Sequence, residues 1–263
     1  MKNKSRFLNK AIEIAKRAGN MLKENQWGNF EVEHKGEIDL VTSMDKKAEK
    51  MIVNYLEENF SHHGILAEEG TDIEQESEYT WVIDPLDGTT NYAHKIPWFA
   101  VSIALRKNRE SIVGVVYHPC NNELFYSEKG EGAYVNDKRL KVTDTSELIN
   151  SVLVTGFPYY IKSRNKRVFK NFENLVTRTQ GLRRFGAASL DLCYVAKGVY
   201  DGFWEEGLKP WDTAAGVLFV EEAGGRVTGY NGEKYSIFDN MILATNGNIH
   251  PLVTDILIKK DFE

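Results

Sequence analysis

Cysteine is scarce in this chain of 263 residues, where only Cys120 and Cys193 occur. Two thiols make no disulfide framework, so the fold must rest on a packed core and a reducing compartment is expected. Long apolar runs are also missing. The segment MKNKSRFLNKAIEIAKRAGN starts basic but holds no continuous apolar stretch of signal-peptide length, and no other run is long enough to cross a bilayer. Cytoplasmic residence without a membrane partner is the expectation. Positive charge is not in excess: 33 Lys and Arg stand against 38 Asp and Glu. The net charge of -5 leaves no overall basic field for nucleic acid, and none is expected as a partner. Neither GxGxxG nor a Walker pattern occurs, which argues against a P-loop kinase, and the absence of GxSxG argues against a serine hydrolase. His94 and His118 have no ligand-spaced partner, and lone histidines are usually satisfied locally. No internal repeat, low-complexity tract or Ser/Pro linker divides the chain.

What is present is an ordinary globular composition, 42% hydrophobic and 27% charged. The length allows one large domain over 1–263, with possible halves 1–148 and 149–263 meeting at a hinge near 145–150. Leu8, Ala11, Ile12, Ala15, Ala18 and Leu22 follow the helical period and predict a first helix with a core-facing stripe. A second helix is predicted over 43–59, capped by Thr42, with Ala48, Met51, Ile52, Tyr55 and Leu56 buried. Between residues 64 and 136 come short β-rich runs, GILA, TWVID, FAVSIAL, SIVGVVY, ELFYS and GAYVN. Their short polar connections predict antiparallel neighbours, with Asn121-Asn122 as a hairpin tip. Helices follow over 163–179 and 187–198, then the strand YDGFWEE, a helix opening at WDTAAG with Asp212 as N-cap, the strand MILATN and a closing helix from Pro251. Strands first, then helices and strands mixed, give an α+β sandwich of layers.

The acids carry the chemistry. WVIDPLDGTT places Asp84 and Asp87 where a short buried strand meets Pro85, and the expectation is that the proline ends the strand. Leu86 between them would expose a backbone carbonyl, and Gly88 lets the chain pass close to a ligand. Two acids crowded at a strand end repel unless something positive lies between them. Magnesium wants oxygen ligands of this kind, though a lysine or arginine could serve instead. Glu68 and Glu69 in LAEEG, Asp212 in WDTAAG and Asp45 in DLVTSMD could complete two ion sites. Each has a bland reading. Asp45 stands three residues after Thr42 and could complete a capping box. Asp212 suits an N-cap, and one of the two glutamates could simply be solvated.

With these residues collected, the sequence resembles the inositol monophosphatase family, among the magnesium-dependent, lithium-sensitive phosphatases. The resemblance runs from the first helix to the last and rests on LAEEG, DPLDGTTNYAH, RRFGAASLDLCYVAKG and EEGLKPWDTAAG in that order. It implies a layered αβαβα sandwich of the inositol monophosphatase and fructose-1,6-bisphosphatase type, usually a homodimer, with two or three Mg2+ ions per site. It further implies that Glu68, Asp84, Asp87 and Asp212, with the Leu86 carbonyl, hold the metal. Gly88 and Thr89 would meet the phosphate, and Asp45 with Thr89 would activate the attacking water, which Glu68 helps to hold. Gly186, Ala187, Ala188 and Glu205 match substrate contacts, as do Asp87 and Asp212. Where this chain has Ala187 the family commonly has Ser or Thr, and the hydroxyl stands instead at Ser189.

The implied activity is hydrolysis of a small phosphorylated substrate, inositol monophosphate foremost, by direct attack of water. The same chemistry on NADP 2'-phosphate or fructose 1,6-bisphosphate is the alternative, and Thr90 in DGTT favours the inositol type. A reading of another class is a non-catalytic accessory factor that binds a transcription complex, with Arg183 and Arg184 in its surface.

Overall fold

The computed structural model describes residues 4–34, 40–163 and 166–258. Helix α1 (Arg6–Asn25) starts at Ser5, whose hydroxyl accepts from Leu8 N, and buries Leu8, Ala11, Ile14, Ala15, Ala18 and Leu22. Ile12 is only half-buried, and Ile14 takes its place in the stripe. A short antiparallel pair, β1 (Val32–His34) and β2 (Leu40–Thr42), leads into α2 (Ser43–Asn59). That helix has the predicted bounds because Thr42 caps it and Asp45 returns a bond to the cap, closing a capping box.

The next stretch builds an eight-stranded sheet from β3 (Gly64–Ala67), β4 (Asp72–Ile73), β5 (Tyr79–Asp87), β6 (Ala100–Lys107), β7 (Glu110–His118), β8 (Glu123–Glu128), β9 (Ala133–Val135) and β10 (Lys138–Arg139). Its order is β10-β9-β8-β7-β6-β5-β3-β4, and a five-residue helix, α3 (Thr89–Ala93), follows β5. From β5 to β10 the predicted antiparallel neighbours are found, and Asn122 turns the β7–β8 hairpin at φ 52°. The antiparallel expectation fails for β3, which pairs parallel with β5. Two-residue β4 folds back as an outer edge, and the chain then crosses to bring β5 in beside β3.

The second sheet is ordered β12-β11-β13-β15-β14, from β11 (Val152–Thr155), β12 (Gly181–Arg183), β13 (Gly202–Glu206), β14 (Arg226–Thr228) and β15 (Met241–Thr245). Its helices are α4 (Lys166–Val176), α5 (Ala188–Ala196), α6 (Pro210–Glu222) and α7 (His250–Leu257). The helix expected over 163–179 is thus shorter at both ends, and residues 164 and 165 lie outside the described residues. Helices α1 and α2 cover one face of the first sheet, where Ile14, Leu22, Ile52 and Leu56 meet Trp81, Ile83 and Val115. Between the sheets lie α5 and α6, whose Leu190, Leu192, Ala215 and Phe219 meet Val82, Ala104 and Phe125 on one side and Phe203 and Ala244 on the other. Helices α4 and α7 close the far side through Leu175, Val253 and Leu257 on Leu153, Trp204 and Leu243. The layers therefore read αβαβα, as expected. Such a stack buries both faces of each sheet, which is why β5 and β13 are apolar in consecutive positions rather than alternating.

Candidate active site

Proline 85 does not end β5. Asp84 pairs with Ser102 and Asp87 with Ala100, so three residue steps on one strand face two on the other. One residue is extra, and Pro85, which has no N–H to offer a ladder, sits in that bulge. The bulge matters for the acids. Residues three apart on a regular strand point to opposite faces, and one inserted residue returns Asp87 to the side of Asp84.

Both aspartates line a cavity of about 270 Å³ that also takes in Glu68, Leu86, Gly88, Thr89, Gly186, Ala187, Ala188, Glu205 and Asp212. Every predicted contact residue except Asp45 is therefore in one wall or another. A larger cavity of about 740 Å³ lies beside the start of α1, with Phe7, Ile112, Tyr126 and Tyr134 in its wall. Its Glu128 already accepts from Ser5 N, and it gathers none of the predicted acids. The chemistry selects the smaller cavity.

Glu68 follows β3, and its N–H donates to Ile83 O at 3.2 Å, continuing the parallel pairing that brings it beside Asp84. Asp84 Oδ1 accepts from Leu86 N at 3.0 Å, which shapes the turn. Asp87 is held from α5: its Oδ2 accepts from Ser189 N at 2.8 Å and Ser189 Oγ at 2.5 Å, at the start of that helix. Asp212 is the third residue of α6, not its N-cap. Its Oδ2 accepts from Lys209 N at 2.6 Å, and extended Lys209 occupies the cap position.

Asp45 stands behind Thr89. Its Oδ2 accepts from Thr42 N at 2.8 Å and Thr42 Oγ1 at 2.5 Å, and its Oδ1 lies 2.9 Å from Thr89 Oγ1. The capping role and the Thr89 contact thus coexist on two oxygens of one carboxylate. Thr89 Oγ1 also lies 3.0 Å from Leu86 O, but a hydroxyl has one hydrogen and serves one acceptor at a time. Donation to Asp45 leaves the Leu86 carbonyl available and the Thr89 lone pairs facing the cavity. Burial raises the Asp45 carboxyl, and the bonds from Thr42 and Thr89 pull it back.

The acids that line the cavity share an electrostatic burden. Asp84 is held well above the usual carboxylate range by burial, then by the charges of Glu68, Asp87 and Asp212. Burial does the same to Asp212, with Asp87 and Glu68 next. Asp87 is raised by burial and eased by Ser189 and the neighbouring amides of α5. No basic side chain ranks among the leading influences on any of these three. The acids need protons or bound cations, and hard divalent ions suit a set of carboxylates plus a carbonyl. The residues fit such ions in chemistry. Among the described residues no three His, Cys, Asp or Glu side chains close on one point as a ready-made cage, so the acids surround the cavity instead.

Four residues contribute in roles that the sequence did not assign to them. Glu49 on α2 accepts from Glu69 N at 2.7 Å and from Thr71 Oγ1 at 2.6 Å, holding the turn that carries Glu68. Its spacing of four from Asp45 puts both on one helix face, a signal that was readable. Ser189 anchors Asp87 as described. Arg184 lines the cavity and acts on Glu205, whose carboxyl is pushed up to about 8 by burial, drawn down by Arg184 and raised by Asp87. Asp191 on α5 is fully buried and is held well above its ordinary range by burial, then by Glu205 and Asp87.

The fold and this acid-lined cavity define a phosphatase of the layered αβαβα class. The chain belongs to the inositol monophosphatase family, whose sequence profile matches residues 3–260. It is 39% identical over 246 residues to an inositol-1-monophosphatase of Mesorhizobium japonicum, covering 92% of each chain. It is 44% identical over 229 residues to the Nus factor SuhB of Pasteurella multocida, covering 86% of each. The solved structure of the extragenic suppressor protein suhB from Bartonella henselae superposes with a TM-score of 0.94 at 40% identity, covering 97% of this chain and 100% of that one. Among the described residues no helix is long and apolar enough to cross a membrane.

Proposed function

We propose that this phosphatase hydrolyses a small phosphate monoester, inositol monophosphate foremost, with magnesium ions held by Glu68, Asp84, the Leu86 carbonyl, Asp87 and Asp212. One observation carries the reading: acids that follow β3, end β5 and open α6 line a single cavity, where burial and the neighbouring acids hold Asp84 and Asp212 well above the usual carboxylate range. Such a wall repels a phosphate dianion until its sign is reversed. Bound magnesium supplies that reversal, polarises phosphoryl oxygens and lowers the pKa of water.

The protein's own residues then do the rest. Thr89 gives its hydrogen to Asp45 and so presents a lone pair to a water on the cavity side. The raised Asp45 carboxyl is the better proton acceptor for that relay. Since Asp45 touches Thr89 and not the cavity, it acts as a positioning residue and proton sink. Gly88, at φ 91°, turns the chain where a Cβ would stand 2.9 Å from Trp98 O, so the turn read as the phosphate contact needs glycine. Glu205, with a pKa of about 8, is mostly protonated at neutral pH and can give a hydrogen bond to the alcohol portion. No side chain need be phosphorylated, and capture of a phosphoaspartate at Asp84 or Asp87 during turnover would refute direct attack by water.

The cavity volume, small among ligand sites, supports a compact polyol phosphate over NADP. The two sheets are read as opposite walls of one catalytic unit, and homodimerisation and lithium sensitivity follow from the family as further proposals. The name of the Pasteurella relative favours a second reading, an accessory role in transcription, for which exposed Arg183 on edge strand β12 is the candidate surface. A phosphate-release screen with inositol phosphates, NADP, fructose bisphosphate and 3'-phosphoadenosine phosphate, with magnesium and with chelator, separates these readings. Magnesium-dependent release from an inositol phosphate is expected. A clean protein inactive on the whole panel would leave the binding role.

A further inference from the structure

Asn91 is a buried residue of the DGTTNYAH segment that the chemistry above leaves unused. It is 6% exposed, and its amide nitrogen lies 2.9 Å from Trp98 O, 2.8 Å from Phe185 O and 3.4 Å from Gly186 O. Three carbonyls can only face the NH2 end of the amide, because an oxygen there would be repelled by all of them. Two hydrogens fill the two short bonds, and the third is a longer shared contact. These carbonyls come from different parts of the fold. Trp98 precedes β6 of the eight-stranded sheet, while Phe185 and Gly186 lead from β12 of the five-stranded sheet into α5.

The chain has little slack at this junction. A Cβ on Gly88 would stand 2.9 Å from the same Trp98 O and 3.4 Å from Ala187 Cβ. Gly186 turns at φ 79°, where a Cβ would stand 2.7 Å from Arg184 Nη1. Three residues further on, Ser189 holds Asp87. Asn91 is thus the point where the turn carrying Gly88 and the turn carrying Gly186, Ala187 and Ala188 are tied side by side.

We propose that Asn91 is a positioning residue: its amide clamps the Phe185–Gly186 turn to the Trp98 carbonyl and sets the width of the cavity between the phosphate wall and the alcohol wall. The clamp stands on geometry alone, and its effect on catalysis rests on the reading of Gly186, Ala187 and Ala188 as substrate contacts. Because the partners are backbone carbonyls, the donor can come only from residue 91.

The test uses Asn91→Asp, which keeps the shape and turns an acceptor toward three carbonyls, and Asn91→Ser, which keeps a single donor and serves if the aspartate variant does not fold. Amide hydrogen exchange over residues 185–190 is expected to speed up by about tenfold or more, less in the serine variant. KM for the substrate identified by phosphate release should rise by roughly tenfold to a hundredfold while kcat stays within about threefold, since binding geometry is lost and the acids are untouched. Unchanged exchange at 185–190 in either folded variant overturns the clamp. So does a loss of thermal stability and kcat with KM unaltered, the signature of a merely structural residue. If the unsubstituted protein releases phosphate from nothing, the functional reading falls while exchange still decides the clamp.

Discussion

The two walls of the cavity solve the problem of buried charge in opposite ways. On the wall built by β3, β5 and the start of α6, burial with Glu68, Asp87 and Asp212 raises Asp84, burial with Asp87 and Glu68 raises Asp212, and no basic side chain ranks among the leading influences on Asp84 or Asp212. Glu205, on the wall built by β13 and the approach to α5, and Asp191 within α5 are also buried, but Arg184 draws both down. One wall is left in electrostatic debt that only something from solution can settle, and the other is partly balanced by the chain itself. That difference assigns their tasks: the unbalanced wall is for cations and phosphate, the balanced one for the neutral part of a substrate.

Substitutions should break this contrast unequally. Asp87→Asn removes charge from the unbalanced wall and is expected to lower magnesium-dependent turnover by about a thousandfold or more, with the far-UV circular dichroism unchanged. Retention of activity would take Asp87 out of the site. Glu205→Gln keeps a neutral donor on the balanced wall, so its turnover should survive with KM raised by about tenfold at most. The unsubstituted protein should lose affinity as pH climbs through about 8, where Glu205 ionises, and the Gln variant should not. A parallel loss in both would place the titration elsewhere. Glu49→Gln loosens the turn beneath Glu68 without touching the cavity, and a magnesium affinity weakened by only a few-fold is expected from calorimetry.

Stability gives the smallest and most general signal. Asp84, Asp212 and Glu205 have folded pKa values raised above their unfolded ones. Between those values the native state holds protons that the unfolded chain has released, so stability present at low pH is lost as pH rises. The metal-free protein should therefore melt at a lower temperature at pH 8 than at pH 5, by several degrees at this chain length. Magnesium should recover more of it at pH 8. A melting temperature that rises with pH would mean the acids are already paired.

How far the chain could be read without coordinates follows the same division. Helix α2 was legible because Thr42 and Asp45 form a local capping box, and the antiparallel meander β6 to β9 was legible because its connections are short. Local rules misled where the third dimension intervened. Pro85 looks like a strand end but occupies a bulge, β3 looks like a hairpin partner but lies parallel to β5, and Asp212 looks like a cap but sits three residues inside α6. The acids of the unbalanced wall stood out because each lies in a recognisable motif. Glu49 offered only its spacing of four from Asp45, while the roles of Arg184, Ser189 and Asp191 rest on residues distant in sequence and are disclosed by their neighbours in space.

Magnesium titration by calorimetry, at pH 7 and pH 5.5 in buffers of different ionisation enthalpy, reaches the claim that the acids await cations. Binding with release of protons, weaker at the lower pH, is the result expected of carboxyl groups that exchange hydrogen for metal. Binding without proton release, or no binding at millimolar magnesium, would contradict it.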